Sequence, residues 1–323
     1  MRPPTALRTL VDRFDPEVFD APVEPVRLRL DAGDEPAWDA VYAGGRLVVE
    51  PAWGEPDAEL RADPETWARV SSDLAGGLDA YRRGELVLRR NLHLSVAFLA
   101  ATTGSTEPGR LRFDTVRTGG RRFSLLEAGT GEPLVMLHGL GATKASFLPT
   151  VSALSDRYRT IAVDLPGFGD SGKPLGAPYD PSFFADSIVS LLDALGLEKV
   201  HLLGHSMGGR AALETAFDYP ERVEGLVLLT PSLAWLRSRR WARYLRLLRP
   251  ELGILQPTPR AVAQAFLERT LPAADTPWVQ AALDEFLRAY LTPRGRVAFY
   301  AAARQIYLEE PDGFWPRLRS LGN

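Results

Sequence analysis

The stretch Val200-His201-Leu202-Leu203-Gly204-His205-Ser206-Met207-Gly208-Gly209 (VHLLGHSMGG) decides the fold. Val200–Leu203 is an apolar run of strand length, and the small residues Gly209, Ala211 and Ala212 then open a helix. Gly204 and Gly208 stand two residues either side of Ser206, in the pattern G-x-S-x-G. At a sharp strand-to-helix turn, side chains at those two positions would collide, so glycine is used there. The serine hydroxyl is then held exposed at the tip of the turn. A bare match could also be a Gly/Ser turn of no chemical consequence. The apolar strand before it and the helix after it favour the reactive reading.

Working outward, the neighbouring sequence alternates strand and helix, the mark of a parallel α/β sheet. Leu134–Leu137 and Leu226–Leu229 are apolar throughout, and Ile161–Leu165 and Val200–Leu203 are apolar but for Asp164 and His201, as expected of strands covered on both faces. Leu111–Val116 and Arg122–Ala128 read as two opening strands around Gly119-Gly120. Helices fit at Ser146–Leu154, Pro181–Leu195 and Arg210–Phe217. From Trp235 to about Leu308 the strands stop. Leu245, Leu247 and Leu248, then Val262, Ala265 and Phe266, then Leu283, Phe286, Leu287 and Tyr290 give helical spacings instead. This helical insertion, about 233–309, reads as a cap over a pocket, with simple packing on the sheet edge as the plainer alternative.

Two further motifs keep the order and spacing of a known family. His138-Gly139-Leu140-Gly141 directly follows the strand Leu134–Leu137, and Asp164-Leu165-Pro166-Gly167-Phe168-Gly169-Asp170-Ser171 begins at the end of the strand Ile161–Leu165. With the Ser206 turn, these motifs resemble the α/β-hydrolase superfamily over most of Leu111–Thr230. The resemblance implies Ser206 as nucleophile, with Leu140 and Met207 supplying the backbone N–H groups of an oxyanion hole. Gly204 and Gly208 would shape the elbow, His138 and Gly139 would belong to the oxyanion loop, and the Asp164–Ser171 stretch would be structural. Two preorganised donors aimed at a developing oxyanion are worth several kcal/mol; removing one costs about 2.7–4 kcal/mol elsewhere. A serine at the elbow implies acyl transfer on an ester, a thioester or a carbon–carbon bond beside a carbonyl. Relatives that open epoxides or remove halogen use aspartate there.

A serine is a poor nucleophile until a base takes its proton. In this fold the order along the chain is Ser, then Asp or Glu, then His. His93, His138, His201 and His205 all precede Ser206, and no histidine follows it. His138 and His205 read as structural, His201 as a core residue of its strand, and His93 as part of another domain. Pro311–Leu321 reads as the helix leading into a further strand, so Glu309, Glu310 and Asp312 are not assigned as the acid. The expectation is a hydrolase fold incomplete at its C-terminus, lacking the last strands, from a truncated gene product or gene model of an active parent. It would expose the Leu226–Leu229 edge and be nearly inactive, since loss of the histidine costs about 10⁶ in turnover in studied triads.

The first hundred residues have a different rhythm. Val26, Leu28 and Leu30 alternate with polar neighbours as a half-buried strand. Trp38, Ala40 and Tyr42 face Leu47–Val49 across Gly44-Gly45, a hairpin signal. Ala58, Leu60 and Ala62 suggest another strand. Asp63 is placed to cap a helix opening at Pro64, with Trp67, Val70 and Leu74 on its apolar face and Gly76-Gly77 near its end. Leu78–Arg82 continues in helical style, Leu86–Leu88 is a strand, and Leu92–Ala101 is a last helix. Trp38-Asp39-Ala40, Ala62–Trp67 and Tyr81–Leu92 resemble sterol-carrier-type lipid-binding domains. That resemblance implies a small α+β fold with a sheet and helices around an apolar tunnel, although Arg90 stands where that family often has glycine. A small packed domain without ligand is the alternative. The polar stretch Ala101–Arg110 (ATTGSTEPGR) reads as a linker. The chain is therefore divided into a sterol-carrier-like α+β domain, 1–105, and an α/β-hydrolase domain, 106–323.

Composition narrows the partners. A net charge of −3 provides no global field toward nucleic acid or anionic membrane. No run approaches the ~18–20 apolar residues of a membrane helix; Leu92–Thr102 is too short and carries His93 and Ser95. The N-terminus does not read as a signal peptide. With no cysteine there is neither disulfide nor thiolate chemistry. The expected setting is cytoplasmic, with no cofactor and no metal site, because no cluster has ligand spacing. Lys144, Lys173 and Lys199 are the only lysines among 38 basic residues, a bias read as genomic. The expected function is hydrolysis of a hydrophobic carboxylic ester or thioester, the partner being a hydrophobic small molecule or lipid. The alternative is a non-catalytic lipid-binding or carrier protein.

Overall fold

The computed structural model describes residues 2–19, 21, 24–33, 36–71, 79–81, 83–102, 111–255, 259–270, 275–308 and 310–321. The expected helix end at Gly76-Gly77 and the linker from residue 103 to Arg110 lie outside these residues.

The N-terminal strands are β1 (Val26–Asp31), β2 (Trp38–Ala43), β3 (Arg46–Pro51), β4 (Ala58–Arg61) and β5 (Val87–Arg89). They form one sheet in the order β3-β2-β1-β4-β5, antiparallel except for the parallel β1–β4 pair. Gly44 and Gly45 both have positive φ, 56° and 77°, as the tight β2–β3 turn requires. Period-2 alternation buries Val26, Leu28 and Leu30. Helix α1 (Thr5–Asp12), which the sequence pattern did not announce, covers the sheet with Leu7 and Leu10. Helix α2 (Pro64–Val70) is capped as expected: the Asp63 carboxylate accepts the Thr66 N–H at 2.7 Å. In helix α3 (Leu92–Thr102) every residue is buried. A short helix that is apolar all round belongs inside a protein core, and α3 lies between the two sheets.

The second sheet contains β6 (Arg112–Thr118), β7 (Arg121–Ala128), β8 (Glu132–Leu137), β9 (Tyr158–Val163), β10 (Val200–His205) and β11 (Val223–Leu229). Its order is β11-β10-β8-β9-β7-β6, with β9, β8, β10 and β11 mutually parallel. Helices α4 (Leu148–Leu154), α5 (Pro181–Ala194) and α6 (Met207–Asp218) make the crossovers. Alternation along the strands divides the core. Leu134, Met136, Ala162 and Leu203 pack with the N-terminal residues, while Val135, Leu137, Ile161, Val163 and Leu202 pack under α5 and α6. At the edge strand β11, Val227 and Leu229 are exposed.

The insertion after β11 contains helices and turns but no strand among its described residues. It contains α7 (Ala242–Leu245), α8 (Arg260–Thr270), α9 (Pro277–Tyr290) and α10 (Pro293–Leu308), and α11 (Pro311–Ser320) follows. Phe314 of α11 is buried against Leu213, and Arg317 bonds Glu214 at 2.9 Å.

Several expected boundaries shift. The strand expected to reach Leu165 ends at Val163. Beyond it the Asp164 N–H donates to the Ser124 carbonyl, and the Leu165 N–H to His138 Nε2, so the ladder is replaced by loop bonds. The helix expected from Ser146 opens instead as a 3₁₀ turn at Lys144–Phe147. The helix expected from Arg210 begins at Met207, immediately after the serine. His201, expected in the core, is about 30% exposed and lies 3.5 Å from Glu132, because it sits where β10 enters the sheet beside the start of β8.

Candidate active site

The parallel register brings the motifs together. Leu203 pairs with Met136 and Gly204 with Leu137, so the turn at Ser206 emerges beside the loop that begins at His138. Ser206 has φ 50° and ψ −113°, a conformation a side-chain-bearing residue rarely adopts. It stores on the order of 1–3 kcal/mol of strain. The flanking glycines are demanded by contact. A Cβ on Gly204 would lie 2.5 Å from the Gly208 carbonyl oxygen, and one on Gly208 would lie 2.1 Å from the Leu137 carbonyl oxygen.

The strained turn is tied down by its backbone. The Ser206 N–H donates to the Leu229 carbonyl at 3.0 Å, and the Ser206 carbonyl accepts the N–H groups of Arg210 and Ser232 at 3.1 and 2.9 Å. These bonds anchor the segment after β11 against the elbow and place the Ser232 hydroxyl 3.1 Å from the Ser206 hydroxyl. Ser232 was not singled out from the sequence, because a lone loop serine carries no pattern. Among the described residues, no histidine or carboxylate hydrogen-bonds to the Ser206 hydroxyl.

The loop His138–Gly141 lies directly against the elbow. A Cβ on Gly139 would sit 3.3 Å from the Ser206 Cβ and 3.0 Å from His205 Nδ1. Met207 is the first residue of α6, where N–H groups have no intrahelical acceptor. Leu140 is half-buried in the loop and lines a small space of about 40 Å³ together with Met207, Arg210 and Ser232. His138 is fully buried, and both of its ring nitrogens are engaged. Nε2 accepts the Leu165 N–H at 3.0 Å, which leaves the proton on Nδ1 to donate to the Gly139 carbonyl at 2.8 Å. Burial pushes its imidazole below the ordinary range, so it is a neutral brace for the loop.

The Asp164–Ser171 loop is a buried charge cluster. The Asp164 carboxylate accepts from the Lys144 N–H and Nζ, both at 2.7 Å, and from the Asp170 N–H at 2.8 Å. Asp170 in turn meets Lys144 Nζ at 3.3 Å and the Arg288 guanidinium at 2.7 and 2.9 Å. Burial alone would raise both carboxyls; the surrounding cations outweigh it and hold them below the usual range, Asp170 well below. Lys144, one of the three lysines, is thus 1% exposed and structural.

This cluster reaches the N-terminal strands. His93 of α3, expected to belong to the other domain, has Nδ1 3.3 Å from Asp170 and its ring against Phe113. Asp284 of α9 takes Arg89 Nε at 2.7 Å, the Arg90 N–H at 2.9 Å and Arg260 at 2.5 Å. Glu285 accepts from Arg288 at 2.6 Å and from the Leu92 N–H at 3.3 Å.

The sequence profile of the alpha/beta hydrolase fold family matches residues 132–304, more than half of the chain. The chain belongs to the α/β-hydrolase family. The 2-hydroxymuconate semialdehyde hydrolase of Pseudomonas sp. (strain CF600) is 39% identical to this α/β-hydrolase over 132 residues, 40% of this chain and 45% of that protein. The dihydrolipoyllysine-residue acetyltransferase component of the acetoin cleaving system of Pseudomonas putida is 42% identical over 113 residues, 34% of this chain and 30% of that protein. The chain thus spans less than half the length of these curated relatives. Among solved structures, Cfl2 from Burkholderia cenocepacia superposes with a TM-score of 0.54 at 27% identity, covering 67% of this chain and 78% of that one. No helix among the described residues is long and apolar enough to cross a membrane.

Proposed function

We propose that this α/β-hydrolase acts on a hydrophobic carboxylic ester or thioester, with Ser206 as nucleophile and the Leu140 and Met207 N–H groups as oxyanion donors. The observation that carries this reading is the strained Ser206 backbone held against the His138–Gly141 loop. In the first step the Ser206 hydroxyl oxygen bonds to the acyl carbon, its proton passes to a base, and the alcohol or thiol departs with a proton. Water then cleaves the acyl-serine. With Ser232 as the hydroxyl's hydrogen-bond partner, the described residues give the proton no strong acceptor, and turnover with that partner alone is slow.

Fluorophosphonate labelling of the 323-residue chain beside Ser206→Ala, with and without added imidazole, tests both parts. We expect little labelling without imidazole and Ser206-dependent labelling with it. Rapid labelling without imidazole would show that a base already reaches the serine. A folded chain unlabelled at any imidazole concentration would overturn the acyl-transfer reading.

A second reading is a non-catalytic lipid carrier, favoured by the Ser206–Ser232 hydroxyl pair and by the N-terminal resemblance to sterol-carrier-type domains. In that reading residues 1–105 handle the apolar ligand and residues 106–323 contribute walls. The division at 105/106 is itself part of the proposal.

A further inference from the structure

A cavity of about 670 Å³ lies where the N-terminal residues, the loop after β8 and the helical cap meet. Its size is within the ~300–1,000 Å³ range of sites that enclose small organic ligands. The N-terminal strands and helices contribute Tyr81 and Leu92, the loop contributes Leu140 and Ala145, and the cap contributes Ala282 and Phe286. Leu140 also lines the small space beside Met207 and Ser232, so the two spaces share this residue of the loop that lies against the elbow.

Three polar groups on the wall are already engaged with protein. Thr143 Oγ1 accepts the Ala145 N–H, and the Ser146 hydroxyl donates to the Thr143 carbonyl. Glu285 is held by Arg288 and the Leu92 N–H. A water molecule needs two to four polar partners, so such a lining suits apolar matter better than ordered water. Glu285 also opposes an anionic group at that end.

We propose that this interdomain cavity binds the aliphatic chain of a neutral ligand, and that the N-terminal region completes the site through Tyr81 and Leu92. The inference deepens the ester reading by assigning the substrate's chain, and it rests on that reading only for the direction in which the acyl carbon faces, toward Leu140. The binding itself needs no reaction.

Nile red fluorescence on the full 323-residue chain, displaced by primary alkanols of increasing length, tests it. Saturable displacement should strengthen about threefold to fourfold per added methylene until the cavity is filled. Ala282→Trp, at a cap position exposed at the cavity, and Leu92→Trp, from the N-terminal side, should each weaken dodecanol binding at least tenfold. Photolabelling with a diazirine-bearing alkanol should mark peptides containing Tyr81 and Leu92, and does not depend on the Leu92 variant folding. Flat chain-length dependence, or full binding by Ala282→Trp, overturns the site. Labelling confined to cap and loop peptides overturns the N-terminal contribution. Ser206→Ala should bind alkanol unchanged. Alkanol binding by a chain that fluorophosphonate leaves unlabelled even with imidazole therefore sinks the acyl-transfer reading alone, and Ser206 labelling without alkanol binding sinks this proposal alone.

Discussion

The Asp164–Ser171 loop and the Ser206 elbow stand at the ends of two parallel strands, β9 and β10, that flank β8, yet they use their polar groups in opposite ways. In the first, Asp164 is fully buried and accepts from two backbone N–H groups and a lysine. In the second, a half-buried serine in a strained conformation has another hydroxyl as its side-chain partner. A saturated cluster contributes stability and fixes geometry. An underused hydroxyl on a strained backbone contributes reactivity and costs stability. The contrast separates residues that hold this site from the residue that would react in it.

The largest test of the contrast removes the cation that serves both carboxylates. Lys144→Met leaves Asp164 and Asp170 buried with less compensation and should lower unfolding free energy by about 3–5 kcal/mol at pH 7, read from urea denaturation. No measurable loss would mean the cluster is not what holds the loop. A smaller loss is expected where the charges are partly exposed. Asp284→Ala strands Arg89 and Arg260, both more than a third exposed, and should cost about 1–3 kcal/mol, with faster amide exchange in α9.

Acid separates the same two regions. Asp164 and Asp170 have folded-state values below their ordinary ones. Their contribution is therefore fully present above the unfolded carboxylate value, about 3.9, and is lost as pH falls through the depressed folded values. In Lys144→Met the balance tips toward burial, which raises these carboxyls. The stability gap between variant and wild type should then be widest near neutrality and should narrow as the pH approaches 4, because the variant protonates first. A gap independent of pH would show that packing, not charge, accounts for the loss.

The elbow and the parallel strands were legible because their constraints are local: glycines two residues either side of a serine, and continuous apolar runs where both faces are covered. The cluster was only half legible. Asp164 and Asp170 lie in a readable motif, but Lys144 and Arg288 reach them across 20 and 118 residues of sequence. No periodicity records such a meeting. His93 was likewise read as a residue of the N-terminal region alone, since nothing in Leu92–Thr102 shows that its buried helix lies between two sheets. Ser232 arrives at the elbow through backbone bonds from Ser206, and backbone bonds leave no residue-type signature.

The smallest predicted effect is also the one that isolates the elbow. Ser206→Gly removes a side chain from a backbone at φ 50° and ψ −113°, a region glycine enters without the Cβ penalty. The folded state should gain about 1 kcal/mol from that relief, less the greater chain entropy that glycine brings to the unfolded state. Ser206→Ala keeps the Cβ, and therefore the strain, while deleting the same hydroxyl. Its stability should stay within about 0.5 kcal/mol of wild type. Paired thermal melts of the two variants thus subtract the hydroxyl and leave the backbone. If Ser206→Gly is more stable than Ser206→Ala, the elbow holds its serine in a costly conformation, as a reactive position does. If alanine is the more stable, the turn is comfortable for an L-residue, and the structural case for Ser206 as nucleophile loses its main support.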